Sequence, residues 1–300
     1  MLRGVLPIVP TPFHADGTVD GESFDRVIEY GIAAGAHGLV FPAIASEYFT
    51  LSDEERRSLS QRLVRRVAGR VPVVIGVSSP EPEVALGLAK QAEELGAQAV
   101  LMLVPAVFAK APEEALAYIR SVSRAVGLPI MLQNAPAPLG ADLPVDAVAR
   151  ICREIDQVRY VKEEGAPSGQ RIGALIGAVG RDVEGVFGGD GGRSILSELA
   201  RGAAGTMPAI ELTEVFVALF EAYGRGERKR AADLFARMLP LLNMQRIFRW
   251  ALTKAVLVRR GIIRDERVRV PGAPLLDAVD REELDVWLEA VRPLLVASPA

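Results

Sequence analysis

Apolar positions along the 300-residue chain fall into two alternating patterns. Short, nearly continuous apolar runs read as strands: Val5–Val9, Gly38–Pro42, Val71–Ile75, Ala99–Val104, Leu128–Leu132, Val158–Lys162, Val183–Phe187 and Gly202–Met207. Longer stretches with helical periodicity lie between them, over residues 20–36, 53–68, 81–95, 112–126, 144–154, 168–180 and 190–200, with another at 213–223 after the last strand. Ser52 followed by Glu55 forms a capping box at the start of the second helix. Gly69, Gly96, Gly127 and Gly180 fall just after helical runs, where a left-handed residue closes a helix. The unbroken apolar run Ala99–Val104 implies a strand buried on both faces, and hence a parallel sheet.

Eight strand–helix units predict an α/β chain folded as a (β/α)8 TIM barrel over residues 1–225. A doubly wound open sheet alternates in the same way, but the count of eight and the lack of a GxGxxG turn favour the barrel. After Gly224 the strand pattern stops, and residues 226–300 form a C-terminal helical appendage. Its helices are expected at 226–245 and 247–260, broken near Pro240 and ending at Gly261. A polar connector, Arg264–Pro274, leads to a last helix at 277–296.

Composition narrows the function classes. A chain that is 50% apolar and 24% charged belongs with folded proteins. Its net charge of −3 gives no basic footprint for nucleic acid or an anionic membrane. A lone cysteine, Cys152, excludes an intrachain disulfide or a cysteine metal cluster and suits a reducing cytoplasm. Two histidines, His14 and His37, cannot build a His-rich zinc site, so no metal is expected. The apolar N-terminus is punctuated by prolines without a cleavage pattern, and no apolar run is long enough for a membrane span. A cytoplasmic protein is expected.

Several common catalytic solutions are absent. There is no GxxxxGK phosphate loop and no GxSxG elbow. His14 precedes an Asp16-Gly17 turn in the first βα loop, and His37 begins a strand on the stability face of a barrel. Lysine is scarce: only five of the 35 lysine and arginine residues are lysines. Lys90 and Lys229 have polar neighbours, Lys110 is in a loop, and Lys254 sits on a helix of the appendage. Lys162 alone ends an apolar strand, at the carboxyl edge where barrels place catalytic groups. Desolvation there favours the neutral, nucleophilic amine that imine chemistry requires. The other reading of Lys162 is an ion pair with Glu163 or Glu164. Tyr160 shares its face, roughly 7 Å below at about 3.3 Å per residue, as a filler of the barrel layer or as a proton relay.

These residues occur within a wider pattern: Thr11-Pro12-Phe13, Ala43-Ile-Ala-Ser-Glu47, Thr50-Leu51, Asn134-Ala-Pro136, Val161-Lys162-Glu163, Gly189-Asp190 and Gly202-Ala-Ala-Gly205. Over residues 4–260 the chain resembles the dihydrodipicolinate synthase / N-acetylneuraminate lyase family of lysine-dependent aldolases and lyases. The resemblance implies a barrel with a helical tail, a homotetramer, and Lys162 forming an imine with a small-molecule 2-oxo acid, without any cofactor. It also implies that the amides of Ala45 and Ser46 hold the substrate carboxylate, that Gln133, Asn134 and Met207 line the substrate, and that Glu47 supports the loop.

Departures from the family pattern refine the activity. Ile44 and Ala45 stand where the family has threonines, and Gln133 stands where it has the relay tyrosine. No tyrosine follows Pro105, and no arginine lies in Ala137–Gly140 to hold a second carboxylate. These losses disfavour the synthase reaction. Gln133-Asn-Ala-Pro136, Ser46-Glu47 and Tyr160-Val-Lys162 resemble the 2-keto-3-deoxy-arabonate dehydratase branch, where glutamine also replaces the tyrosine. A lyase that dehydrates a 2-keto-3-deoxy sugar acid is therefore expected, with Lys162, Gln133 and Ser46 catalytic and Tyr160 behind them. The alternatives are a pyruvate-dependent aldolase of the same family and a non-catalytic 2-oxo-acid-binding barrel. Gly188–Gly192 resembles a phosphate cradle, although the family carries Gly-Asp here without phosphate. Phe248 and Trp250 read as packing, and the run Arg225–Arg230 as a solvated face.

Overall fold

A computed structural model of the chain describes residues 1–296, so the last four positions of the 226–300 region lie outside the described residues. Strands β1 (Gly4–Val5), β2 (Leu39–Phe41), β3 (Val73–Gly76), β4 (Ala99–Leu103), β5 (Ile130–Asn134), β6 (Val158–Glu163), β7 (Gly185–Gly188) and β8 (Gly205–Thr206) alternate with helices. The helices that follow them in turn are α1 (Gly21–Ala33), α2 (Asp53–Val67), α3 (Pro82–Glu94), α4 (Pro112–Ser123), α5 (Val145–Glu154), α6 (Ser168–Val179), α7 (Ile195–Ala200) and α8 (Thr213–Gly224). Three more complete the described residues: α9 (Arg228–Phe248), α10 (Trp250–Arg259) and α11 (Ala278–Val291). This is the (β/α)8 barrel with a C-terminal helical appendage that the alternation predicts.

By compactness the chain forms two units, Met1–Arg3 with Pro72–Met207, and Gly4–Val71 with the chain from Pro208 onward. In the first, β3 to β8 pair in parallel, each with its sequence neighbour. One row of the ladder carries Leu103, Gln133, Lys162, Phe187 and Gly205 side by side. Two rows down, the next row on the same face holds Leu101, Met131, Tyr160 and Gly185. A register shift at Ile130/Met131 passes over Arg159, leaving that residue exposed while Tyr160 and Lys162 stay buried. In the second unit, Ile8 bridges to both Val40 and Ala209.

The predicted strands are trimmed or moved for identifiable reasons. β1 stops at Val5 because Pro7 and Pro10 have no N–H to give, and pairing resumes only at the Ile8 bridge. β5 begins two residues later than predicted, after Pro129, and so brings Gln133 and Asn134 into the sheet. The helix predicted at 190–200 is a single turn, Asp190–Gly192, followed by the short α7, because Gly191 and Gly192 take φ of 69° and 76°.

Two corrections concern helix ends. The break expected near Pro240 does not occur: α9 runs through it, with buried Met238, Leu241 and Leu242 holding the flanking turns. The break comes at Arg249, with φ of 44°. Gly127 is not a left-handed cap, since α4 has already ended and the Gly127 N–H goes to Glu93. Gly69, Gly96 and Gly180 do take positive φ, and the Ser52–Glu55 capping box forms in both directions.

Candidate active site

Lys162 is the penultimate residue of β6, with its side chain almost wholly buried (1% exposed). Its Nζ lies 3.3 Å from Oε1 of Glu164, the pairing that the sequence left open. Gln133, beside Lys162 in the ladder, donates from Nε2 to Glu164 Oε2 at 2.5 Å. The Asp190 backbone N–H donates to Oε1 at 2.9 Å. Burial alone pushes the Glu164 carboxyl up, but the Lys162 ammonium, the Asp190 amide and the Gln133 amide together hold it below the usual carboxylate range. Lys162, Gln133 and Glu164 thus form one hydrogen-bonded, electrostatically coupled cluster at the carboxyl ends of two neighbouring parallel strands.

Glu164 is the functional residue that the sequence reading weighed only as a partner able to mute the lysine. A signal was present: Lys162 and Glu164 are two residues apart, the spacing that puts strand residues on one face.

The glycine run is shaped for carboxylates already in the protein. A Cβ on Gly189 would stand 2.4 Å from Glu164 Oε1, and one on Gly188 would stand 1.8 Å from Glu198 Oε2. Two acidic side chains therefore press on adjacent bare positions of the backbone, and the Asp190 amide is spent on Glu164. That arrangement opposes a phosphate, so the cradle reading fails here. Glu198 is buried with Ser168 Oγ donating to its Oε1 at 2.7 Å. Burial, then the charges of Asp190 and Glu164, push its carboxyl up to about 7 against the hydrogen bond from Ser168.

Strand periodicity separates Asn134 from its neighbour Gln133. The Asn134 amide donates to Leu143 O and Glu163 Oε2, both at 2.9 Å, and accepts from Leu143 N at 2.9 Å. Glu163 also takes Arg171 Nε at 2.9 Å. Asn134 is thereby committed to anchoring the loop after β5. Met207 is buried just beyond β8, its N–H donating to Gly188 O at 3.0 Å.

Tyr160 fills the layer below Lys162, edge-on to Phe187. Its hydroxyl donates to Glu184 and accepts from Leu2 N. Burial and then the Glu184 bond push the phenol up to about 12.

Ala45, Ser46 and Glu47 belong to the second unit. They lie in consecutive single turns, Ile44–Ser46 and Tyr48–Thr50, hinged at Glu47 with φ of 58°. Ser46 is fully buried, its Oγ donating to Val9 O at 2.6 Å and accepting from Ala43 N at 3.0 Å. Glu47 is buried too, and Lys254 Nζ donates to its Oε1 at 2.5 Å. Burial pulls the Lys254 ammonium down to about 8, with the Glu47 carboxylate opposing that pull. Trp250 donates from Nε1 to Ile44 O at 2.7 Å.

The remaining candidates are structural. His14 closes a turn with Gly17 and Thr18, and His37 Nδ1 accepts from Val5 N beside Phe220. Among the described residues no group of three or more His, Cys, Asp or Glu side chains could hold a metal. No helix among them is long and apolar enough to cross a membrane.

The model of the dihydrodipicolinate synthetase family matches residues 1–291, and the chain belongs to that family. It is 34% identical over 298 residues to L-2-keto-3-deoxyarabonate dehydratase of Azospirillum brasilense, covering 98% of this chain and 96% of that protein. It is 30% identical over 241 residues to the Escherichia coli K12 protein named "Probable 2-dehydro-3-deoxy-D-pentonate aldolase YjhH", covering 79% and 80%. Among solved structures, YagE of the same organism, a family member crystallised in complex with pyruvate, superposes with a TM-score of 0.90 at 25% identity. That match covers 99% of this chain and 100% of YagE. The protein is a lyase-family enzyme by this membership.

Proposed function

We propose that the protein dehydrates a 2-keto-3-deoxy sugar acid through an imine on Lys162, with no cofactor. The observation that carries this reading is the buried Lys162–Glu164–Gln133 cluster. An ammonium is not a nucleophile, and Glu164 is the group in contact with it that can take its proton. Loss of the Lys162 charge removes one of the influences that hold Glu164 low, so burial then makes the carboxylate a stronger base.

The chemistry follows in order. The Lys162 amine adds to the C2 ketone, and the carbinolamine hydroxyl leaves as water with the proton that Glu164 took from Lys162, giving an iminium that acidifies C3 and a Glu164 carboxylate again free to act as base. Glu164 takes the C3 proton, forming an enamine. The enamine expels the C4 hydroxyl, which leaves as water with a proton returned by Glu164. Hydrolysis of the conjugated iminium restores Lys162 and frees the 3,4-unsaturated 2-oxo acid, which for a five-carbon substrate tautomerises to the semialdehyde as the C5 alcohol gives up its hydroxyl proton and one C5 proton and C3 and C4 each gain one. Gln133 cannot exchange a proton at neutral pH, but its amide orients the Glu164 carboxylate. The Ser46 amide, expected to hold the substrate carboxylate, donates instead to Ala43 O at 2.9 Å within its own turn. Similarity to the Azospirillum dehydratase over nearly the whole chain supports dehydration over aldol cleavage.

Borohydride reduction in the presence of pyruvate or 2-keto-3-deoxy-arabonate, with peptide mapping, tests the imine. The expected result is a reduced adduct on Lys162 that is lost in Lys162→Ala. An unmodified protein under conditions that trap other family members would overturn it. Product analysis then separates a semialdehyde, from dehydration, from released pyruvate, from aldol cleavage.

A further inference from the structure

Glu164 stands outside regular structure: β6 ends at Glu163, and α6 begins only at Ser168. A carboxylate in a loop keeps a fixed place beside Lys162 and Gln133 only if its peptide is held, and the hold comes from the other face of the strand. Alternation turns Glu163 away from Lys162, and there its side chain is wholly buried. Glu163 Oε1 accepts from the Gly165 N–H at 2.8 Å and from Arg171 Nε at 2.9 Å. Its Oε2 accepts from the Asn134 amide at 2.9 Å, and the Glu164 N–H donates to Asn134 O at 3.0 Å. The peptide groups on both sides of Glu164 are therefore bonded.

Arg171, near the start of α6, closes this arrangement. Its Nη2 donates to Leu143 O at 2.7 Å, which ties α6 to the loop after β5. Its guanidinium also lies across Gly165, where a Cβ would stand 2.4 Å from Nε and 2.6 Å from Cζ. Burial pushes the Glu163 carboxyl up, and the Asn134 amide, the Arg171 charge and the Gly165 N–H pull against it. Arg171 supplies the cation in that set. All of these residues belong to the same unit as Lys162.

We infer that Arg171 is a positioning residue: through Glu163 it fixes the segment Glu163–Gly165, and so holds the Glu164 carboxylate between Lys162 and Gln133. That Glu164 then moves protons rests on the function proposed above. The clamp itself does not. Arg171 lies on the face opposite Lys162, so its loss slows the proton transfers and leaves the amine and its affinity for a 2-oxo acid in place.

The experiment compares Arg171→Met with Glu163→Gln/Arg171→Met, which leaves no buried unpaired charge if the single variant does not fold. Hydrogen exchange of the Glu164 and Gly165 amides, read residue by residue on the full chain, is expected to speed up about tenfold or more in either variant. Amides of residues 172–179 should stay within about threefold, because a general loosening of the fold would move both sets. Turnover of 2-keto-3-deoxy-arabonate is expected to fall about tenfold, while the pyruvate concentration that half-saturates borohydride trapping stays within about threefold. Arg171→Lys keeps the charge but not the forked reach to Glu163 and Leu143, and should recover part of the turnover. In a Glu164→Gln background, Arg171→Met should lower turnover by less than about twofold further, because no carboxylate is left to place. A folded variant with unchanged exchange at Glu164 and Gly165 overturns the clamp. Faster exchange with unchanged turnover overturns its effect on Glu164, and losses that multiply in the double variant overturn the route through that carboxylate. Should the unsubstituted protein neither trap pyruvate nor turn over the sugar acid, the proposed function fails, while hydrogen exchange still decides whether Arg171 holds the segment.

Discussion

The ammonium of Lys162 and the carboxylate of Glu164 lie 3.3 Å apart, both largely shielded from solvent, and Gln133 holds the second oxygen of that carboxylate. A buried ion pair of this kind is costly to assemble, and removing one partner leaves an uncompensated charge. In the proposed function its use is proton transfer. Glu164→Gln is therefore expected to lower kcat by about 10²–10⁴-fold, the range a positioned acid–base group contributes. The pyruvate adduct on Lys162 should still form, more slowly, because the amine remains. Single-turnover trapping alongside steady-state dehydration measures both. Wild-type turnover in Glu164→Gln would remove Glu164 from the mechanism.

How far this site was legible in the sequence differs from residue to residue. Lys162 stood out because lysine is rare in the chain and this one ends an apolar strand. Gln133 was placed at the site by resemblance, but its register with Lys162 was not readable, since the strand starts after Pro129 and not before it. Lys254 was passed over because its partner Glu47 is 207 residues away, a pairing no local pattern encodes. The eight strand–helix units were readable because periodicity and end signals are local. Pro240 misled for the converse reason: its local preference is overridden by packing on both sides.

The two glycines pressed by carboxylates should separate structure from chemistry. In Gly189→Ala the new methyl meets Glu164 Oε1 at 2.4 Å and its Cγ at 2.6 Å, so the carboxylate must leave its place beside Lys162. Activity is expected to fall at least tenfold, together with a loss of stability because the buried Lys162 ammonium loses its partner. In Gly188→Ala the methyl meets Glu198 Oε2 at 1.8 Å, in the buried layer behind the strand. Overpacking of this kind costs about 1–3 kcal/mol. Gly188→Ala/Glu198→Ala should recover part of that stability, because the colliding carboxylate is gone. Urea unfolding of the three variants gives the stabilities, and equal losses in all three would contradict the assignment.

Glu198 also predicts a pH dependence of stability. Its carboxyl sits at about 7 when folded against an ordinary 4.5, so between those values the folded chain keeps a proton that the unfolded chain releases. Its contribution to stability therefore falls as pH rises from 4.5 to 7, and the penalty above 7 is about 3 kcal/mol. In Glu198→Gln that titration is absent, while any cost of the unmatched amide does not vary with pH. The stability of the variant relative to the unsubstituted protein should thus rise steadily between pH 5 and 8. The buried carboxyl of Glu211 is likewise raised to about 7, but it titrates in both proteins and cancels in the difference. Denaturant curves at matched pH values test this, and two parallel profiles would show that Glu198 is already ionised at pH 5.

Tyr160 tests the alternative that a phenol beneath the lysine relays protons. Its hydroxyl is engaged with Glu184 and with the Leu2 backbone N–H, and neither partner belongs to the Lys162 cluster. The ring fills its layer against Phe187, and a phenylalanine would fill it nearly as well. Tyr160→Phe is therefore expected to cost about 1 kcal/mol or somewhat more, the price of leaving the Leu2 N–H and the Glu184 carboxylate without this partner. Dehydration rate and adduct formation on Lys162 should stay within about twofold across pH 6 to 9. A hundredfold loss of turnover in a variant that folds normally would instead place the phenol on the proton path, and Glu164 would then have to share its role.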